Sequence, residues 1–177
     1  MSQQTTWAID PTHTEIGFKV KHMMFTNVSG KIGTYTATIE TDNDDFSNAA
    51  IDFTAEAASI TTGNADRDAH LLSADFFDAA QFSTLHFAAT SLKKIDGTDF
   101  ELTGNLTIHG VTKAVTLAAE FGGLMKDPWG NIKAGFNISG KINRKDFGLT
   151  WNAALETGGV LVSDEVRIIA EVQLIKQ

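Results

Sequence analysis

Apolar residues fall on every second position through most of this chain, the period of a strand with one face buried and one in water. A helix cannot gather such a pattern onto one side, so an all-β protein is expected. Ile16, Phe18, Val20 and His22 share a face, opposed by Glu15, Gly17, Lys19 and Lys21. Ile51, Phe53, Ala55 and Ala57 alternate with Asp52, Thr54 and Glu56, and Leu85, Phe87 and Ala89 with His86 and Ala88. Phe100, Leu102, Leu106 and Ile108 lead through a tight His109-Gly110 turn into Val115, Leu117, Ala119 and Phe121, the pattern of a long hairpin. A turn over Gly122 to Asn131 then feeds Ile132, Ala134, Phe136, Ile138 and Ile142. The last strand carries Val166, Ile168, Ala170, Val172 and Leu174.

Three segments depart from this alternation. Val28, Gly30 and Ile32 have the opposite parity to Tyr35, Ala37 and Ile39, which predicts a bulge near Gly33. Asn64 to Ala80 is Ala-rich with cap residues at Asn64 and Ser73, and predicts two short helices. Asn143 to Ser163 is irregular, with Phe147, Leu149 and Trp151 suited to a loop over a barrel mouth. The whole gives about eight antiparallel strands after a Trp7 to Asp10 lead-in, with no linker, hence a single domain over 1–177. Such strands form a sandwich or a closed up-and-down barrel, and inner faces mixing Phe with Ala and Gly leave room for one ligand in a small barrel.

Composition removes several functions. A net charge of −8 lacks the footprint of a protein gripping nucleic-acid phosphates, and argues equally against anionic membrane surfaces. The absence of cysteine excludes disulfides, iron–sulfur clusters, thiolate zinc sites and cysteine nucleophiles. Met1 to Thr6 is polar and no stretch approaches the ~18 apolar residues of a transmembrane helix, so a cytoplasmic protein is expected, or a periplasmic one if a leader has been removed.

Catalytic and metal motifs are missing at the level of spacing. The 5 histidines, His13, His22, His70, His86 and His109, show no H-E-x-x-H pattern, so no metal site and no cofactor is expected. No G-x-S-x-G elbow is present, and Ser29 and Ser139 lie in alternating strands. Gly135 to Gly140-Lys141 has phosphate-loop spacing, but Ile142 stands where Ser or Thr is required. Asp42 to Asp45 lacks the glycine and distal Glu of an EF-hand loop and reads as a solvated turn. His22 falls on an apolar face, either as a buried imidazole bonded to backbone or as a polar group within a cavity. In Asp66-Arg67-Asp68-Ala69-His70, Arg67 either pairs with a flanking carboxylate to tether the helix or joins His70 as a donor at a pocket mouth.

Four blocks together carry a resemblance. Trp7-x-Ile9-Asp10-x-x-His13-Thr14-x-Ile16-x-Phe18-x-Val20-x-His22, then Arg67-Asp68-x-His70-Leu71-x-Ser73-x-Asp75-Phe76-Phe77-Asp78, then Leu106 to Lys113, then Asp146-Phe147-Gly148-Leu149 resemble the bacterial YceI-like family, in its order, over about Thr6 to Lys176. The resemblance implies an extended, lipocalin-like, eight-stranded antiparallel β-barrel with one or two short helices. It implies a non-enzymatic carrier of a polyisoprenoid, an isoprenoid quinone or another long lipid, without catalytic residues and often a homodimer. Many relatives are periplasmic. Ala114 departs from the family by standing where relatives commonly carry Pro.

Burying ten methylene-sized groups contributes about 8 kcal/mol, before an association cost of several kcal/mol, so tight binding without strong polar contacts needs a chain of about twenty or more carbons, which suits a wall of Phe, Leu and Val. Within such a barrel, parity assigns Phe18, Val20, Phe53, Phe87, Leu102, Leu106 and Phe136 to the lining. Phe76, Phe77, Phe147 and Trp151 are expected near the mouth, and His22, Arg67 and His70 are the candidate head-group partners. A packed structural sandwich and a lipid-modifying enzyme using a pocket histidine are the alternatives.

Overall fold

Every long strand of the chain is antiparallel to its neighbours, and the strands close on themselves. The computed structural model describes residues 3–153 and 161–177. The strands are β1 (Gln4–Ile9), β2 (Glu15–His22), β3 (Thr26–Ile32), β4 (Tyr35–Asp42), β5 (Asp45–Glu56), β6 (Ile60–Thr61), β7 (Thr84–Asp96), β8 (Asp99–Ile108), β9 (Val111–Lys126), β10 (Ile132–Asn143) and β11 (Val162–Lys176), with one helix, α1 (Ala65–Leu72). β1 pairs with both β4 and β11, so the ring β1-β4-β5-β7-β8-β9-β10-β11 is complete. The protein is an eight-stranded β-barrel and not a sandwich.

β2 and β3 prolong the wall at one end. The last residues of β11 pair with β1 (Ile9↔Leu174), while the same strand pairs higher up with β2, from Glu171↔Glu15 to Val162↔His22. Between β1 and β2 the chain bends through a 3-10 turn, Pro11–His13. Asp10 builds that bend: its carboxylate accepts from Thr12 N (3.1 Å) and Thr12 Oγ1 (2.7 Å), while its own N–H donates to Gln173 O (2.8 Å).

The parity conflict near Gly33 is resolved by a break, not by the expected bulge. β3 leaves the line of β4 and pairs with β6 through Ile32↔Ile60, Gly33 N donates to Ser59 O (3.1 Å), and β4 restarts at Tyr35 opposite Ala55. Two separate strands need no common parity. The turn after β9 is also shorter than expected. Gly122 to Lys126 continue the strand, with Gly123 at φ 102° where the register against β10 shifts, and Asp127 to Asn131 make the turn.

One α-helix forms among the described residues where two were expected. Asn64 Oδ1 caps α1 by accepting from Arg67 N (3.0 Å), but Ser73 ends the helix instead of starting another, its hydroxyl donating to His70 O (2.6 Å). Beyond it the chain runs in turns, with Asp78 left-handed at φ 48° and Phe76 buried.

An aromatic plug closes the end of the barrel opposite the β2–β3 turn. Trp7 lies against Phe46 (centroids 4.9 Å apart), and Phe46 against Phe136 (5.0 Å) and Phe121 (5.5 Å). Phe100 meets Phe121 and Phe136 edge-on. The Trp7 indole N–H is buried, and donates to Thr41 Oγ1 (2.9 Å).

Candidate functional site

Above the plug the barrel is hollow. A cavity of about 620 Å³ extends from Phe46 and Phe136 at its floor to α1 and the β10–β11 connection at its mouth. Its wall follows strand parity: Ile16, Phe18 and Val20 from β2, Phe53 from β5, Phe87 from β7, Leu102 and Leu106 from β8, and Val166 and Ile168 from β11. Phe18, Val20, Phe53 and Leu106 point inward yet are only partly buried, because the surface they keep faces the void. Two of the rings need glycine beside them. A Cβ on Gly30 or Gly104 would run into Phe18 or Phe87 respectively, so those rings lie flat over the neighbouring strand and the space stays open.

Of the residues singled out from sequence, Phe18, Val20, Phe53, Phe87, Leu102, Leu106 and Phe136 line the cavity, as do Phe76, Phe77 and Trp151 near its mouth. Phe147 does not. It is 1% exposed and packs with Ile108 and Leu149 in a separate cluster under the β8–β9 turn, where it anchors the connection that carries Trp151. Residues 154–160 of the irregular stretch lie outside the described residues.

The polar groups gather at the mouth. His22 ends β2 and lines the cavity. His70, in the last turn of α1, has Nε2 2.9 Å from Asp75 Oδ2 and stands edge-on to Phe76 (5.0 Å) and Trp151 (4.8 Å). Arg67 donates from Nε to Thr62 Oγ1 (2.7 Å) and from Nη2 to Thr62 O (3.0 Å), and pairs with no carboxylate among the described residues. The tether expected of Arg67 is shared with Asp68, which accepts from Thr62 Oγ1 (2.6 Å), Thr62 N (2.8 Å) and Thr61 Oγ1 (3.0 Å). The Thr62 hydroxyl holds the Asp68 carboxyl below the usual carboxylate range.

Arg144 is the site residue that sequence reasoning passed over. It is 3% exposed, lines the cavity, and donates to the carbonyls of Leu149 (2.7 Å), Trp151 (2.9 Å), Ser163 (2.9 Å) and Val162 (3.3 Å). One guanidinium thus ties both ends of the β10–β11 connection. Burial pulls its pKa down from the ordinary arginine value, and Asp164 opposes that shift. The signal was present: Arg144 continues the inward parity of Ile138 and Ile142.

Among the described residues no three His, Asp or Glu side chains gather as metal ligands, and no helix is long and apolar enough to cross a membrane. An apolar tube with polar groups at one end can hold an apolar body and orient a polar head.

Comparison with known proteins gives a consistent picture. A family model described as a YceI-like domain matches residues 7–174. The UPF0312 protein SA2479 of Staphylococcus aureus strain N315 is 35% identical over 170 residues, 96% of each chain. The crystal structure of a YCEI protein from Campylobacter jejuni superposes with a TM-score of 0.77 at 37% identity, covering 95% of this chain and 96% of that one. A polyisoprenoid binding domain from Saccharophagus degradans, implicated in plant cell wall breakdown, shares the fold with a TM-score of 0.67 at 14% identity, covering 97% and 98%.

Proposed function

Because the chain belongs to the YceI-like domain family, we propose that it is a non-enzymatic binding protein that carries one long apolar lipid, of the polyisoprenoid or isoprenoid quinone type, inside its barrel. The observation that carries this reading is the apolar cavity of about 620 Å³ whose polar lining residues, among those described, gather toward its mouth. In it the tail runs along Phe18, Val20, Phe53, Phe87, Leu102 and Leu106 above the Phe136 floor. The head group meets His22, Arg67 and His70, among Phe76, Phe77 and Trp151. The Saccharophagus domain of the same fold, described as a polyisoprenoid binding domain, supports the ligand class. So does magnitude: each methylene taken from water contributes about 0.8 kcal/mol, so length alone supplies the affinity.

Native mass spectrometry followed by solvent extraction tests this. A stoichiometric adduct with an isoprenoid or acyl mass is expected, either as purified or after adding a long-chain quinone. A protein that stays empty in both states, or that turns over quinones or lipid esters, overturns the reading. The same spectrum reports whether the homodimer implied by the family resemblance forms.

A further inference from the structure

The turn between β2 and β3 carries a feature that folding does not explain. It consists of Met23, Met24 and Phe25, which are 40%, 55% and 85% exposed. Met23 and Met24 both hold left-handed φ values, 52° and 64°, a conformation in which Asn or Gly sits without strain and a long side chain does not. Stability alone would favour a polar Asn-Gly turn here. The tip is held at the cavity mouth: Met23 N donates to Leu161 O (2.8 Å) and Phe25 N to His22 O (3.2 Å), and both His22 and Leu161 line the cavity.

Charge is segregated around the same hairpin. The chain has a net charge of −8, yet between Glu15 and Glu40 it contains no acidic residue, only Lys19, Lys21, Lys31 and His22. On the outer wall Lys19 stands opposite Arg167, which stands opposite Lys141, a row of like charges that cross-strand repulsion disfavours. Of the nearby carboxylates, Asp164 pairs with Lys145 (3.4 Å) and Glu15 with Lys31 (3.4 Å), while Glu165 pairs with Lys141 of the row itself (3.1 Å), which leaves Lys19, Lys21 and Arg167 without a carboxylate partner among the described residues. At about 3.4 Å per residue, Lys21 and Lys19 lie roughly 7 and 14 Å below Met23. An apolar tip with cations one and two turns of pleat behind it matches the depth profile of a bilayer surface, acyl chains first and headgroups next.

We infer that the Met23–Phe25 tip and the cations Lys19, Lys21 and Arg167 behind it form a docking surface for a bilayer containing anionic lipid, setting the cavity mouth against the acyl region. Three side chains on a convex tip bury far less than the ~800 Å² per partner of a stable protein interface, but they suffice for shallow insertion. The net negative charge is no obstacle, because the field at a membrane is felt over about one Debye length, ~10 Å at 0.1 M salt, and the unpaired charges nearest the tip, Lys19, Lys21 and Arg167, are cationic. Why the protein docks rests on the lipid-carrier reading; whether it docks does not.

Co-sedimentation of the full chain with phosphatidylcholine vesicles, with and without added phosphatidylglycerol, tests the surface without any cargo. The protein is expected to partition onto the phosphatidylglycerol vesicles and to leave them as salt is raised. Met24→Ser with Phe25→Ser, and separately Lys19→Glu with Arg167→Glu, should each weaken partitioning about tenfold. Trp129→Ser serves as control: Trp129 is 83% exposed, but at the opposite end of the barrel, and its loss should leave partitioning unchanged. Met23→Asn with Met24→Gly separates docking from folding, since relief of strain should raise the melting temperature by about 2–4 °C while partitioning falls. Failure of the wild-type chain to bind phosphatidylglycerol vesicles overturns the proposal. So does a tip variant that binds like wild type, or an equal loss in Trp129→Ser.

Discussion

His70 of α1 stands edge-on to Trp151 of the β10–β11 connection, ring centroids 4.8 Å apart and planes at 87°. Phe76 completes the group, 5.0 Å from His70 and 5.3 Å from Trp151. The contact joins two segments far apart in sequence across the open end of the cavity, with Arg144 fixing one side and the Asp68 to Thr62 bonds fixing the other. On the lipid-carrier reading, a ligand that leaves between α1 and this connection parts them.

Trp151→Ala should therefore loosen the mouth more than it loosens the fold. An aromatic contact of this kind contributes about 0.5–1.5 kcal/mol, which corresponds to roughly 2–10-fold in a rate. Stopped-flow displacement of a fluorescent isoprenoid should show dissociation faster by that factor, with the association rate little changed. Unaltered dissociation would mean that ligands use another exit.

The wall and the floor should answer substitution differently. Phe136 is 7% exposed and lies 5.0 Å from both Phe46 and Phe121, so Phe136→Ala should cost about 3–5 kcal/mol in denaturant unfolding. Val166 faces the void, and Val166→Phe adds a ring where there is space for one. Its stability should stay within about 1 kcal/mol of wild type while ligand capacity in the native mass spectrum falls. A loss as large as that of Phe136→Ala would show that the wall is already packed.

How much of this was legible in the sequence follows from what each signal encodes. The wall was readable because side-chain direction in a strand depends only on parity, so Phe18, Phe53, Leu102 and Ile168 could be oriented before any pairing was known. Where the chain breaks and restarts, parity carries nothing across. Gly33 therefore looked like a bulge, although β6, more than twenty residues away, supplies the pairing that ends β3. The second helix failed for a similar reason: local composition favours it, but burial of Phe76 beside Trp151 is decided by tertiary contact. Phe147 was assigned to the mouth because its segment looked like a loop, while Gly148, at φ 77°, turns the chain so that Phe147 packs beneath it. Motif recognition brought out Asp10, His13 and Thr14 without their structural role, which is to build the bend between β1 and β2.

That bend carries the acid sensitivity of the fold. Asp10 is 6% exposed and accepts from Lys133 Nζ (2.9 Å), lies 2.9 Å from His13 Nδ1, and also accepts from Thr12. The Lys133 bond above all, then those of His13 and Thr12, hold its carboxyl well below the usual carboxylate range. Because the folded pKa is depressed, the stabilisation is complete above the unfolded value of about 3.9 and is lost as pH falls through the folded one. Asp10→Asn should cost about 2–3 kcal/mol at neutral pH, less than the ~3–5 of a fully buried pair because the Lys133 side chain keeps 18% exposure. Chemical denaturation across pH should show a constant gap between the two proteins above about pH 5 that narrows steadily below about pH 4. A gap independent of pH would assign the cost to packing instead.

Arg144 allows the mouth and the barrel to be separated experimentally. Its guanidinium reaches the carbonyls of Leu149, Trp151, Val162 and Ser163 because a planar fork presents donors in several directions at once. Lysine keeps the charge but satisfies fewer of those carbonyls, and methionine satisfies none. Hydrogen bonds from a charged donor contribute about 1.5–3 kcal/mol, so Arg144→Lys should lose about 2 kcal/mol and Arg144→Met about 3–4. Since the four carbonyls all belong to the β10–β11 connection and the start of β11, amide exchange should rise around Leu149, Trp151 and Val162 while the plug about Trp7 and Phe136 stays protected. Exchange rising equally in the plug would mean that Arg144 supports the whole barrel, and that the connection over the mouth has no independent freedom to open.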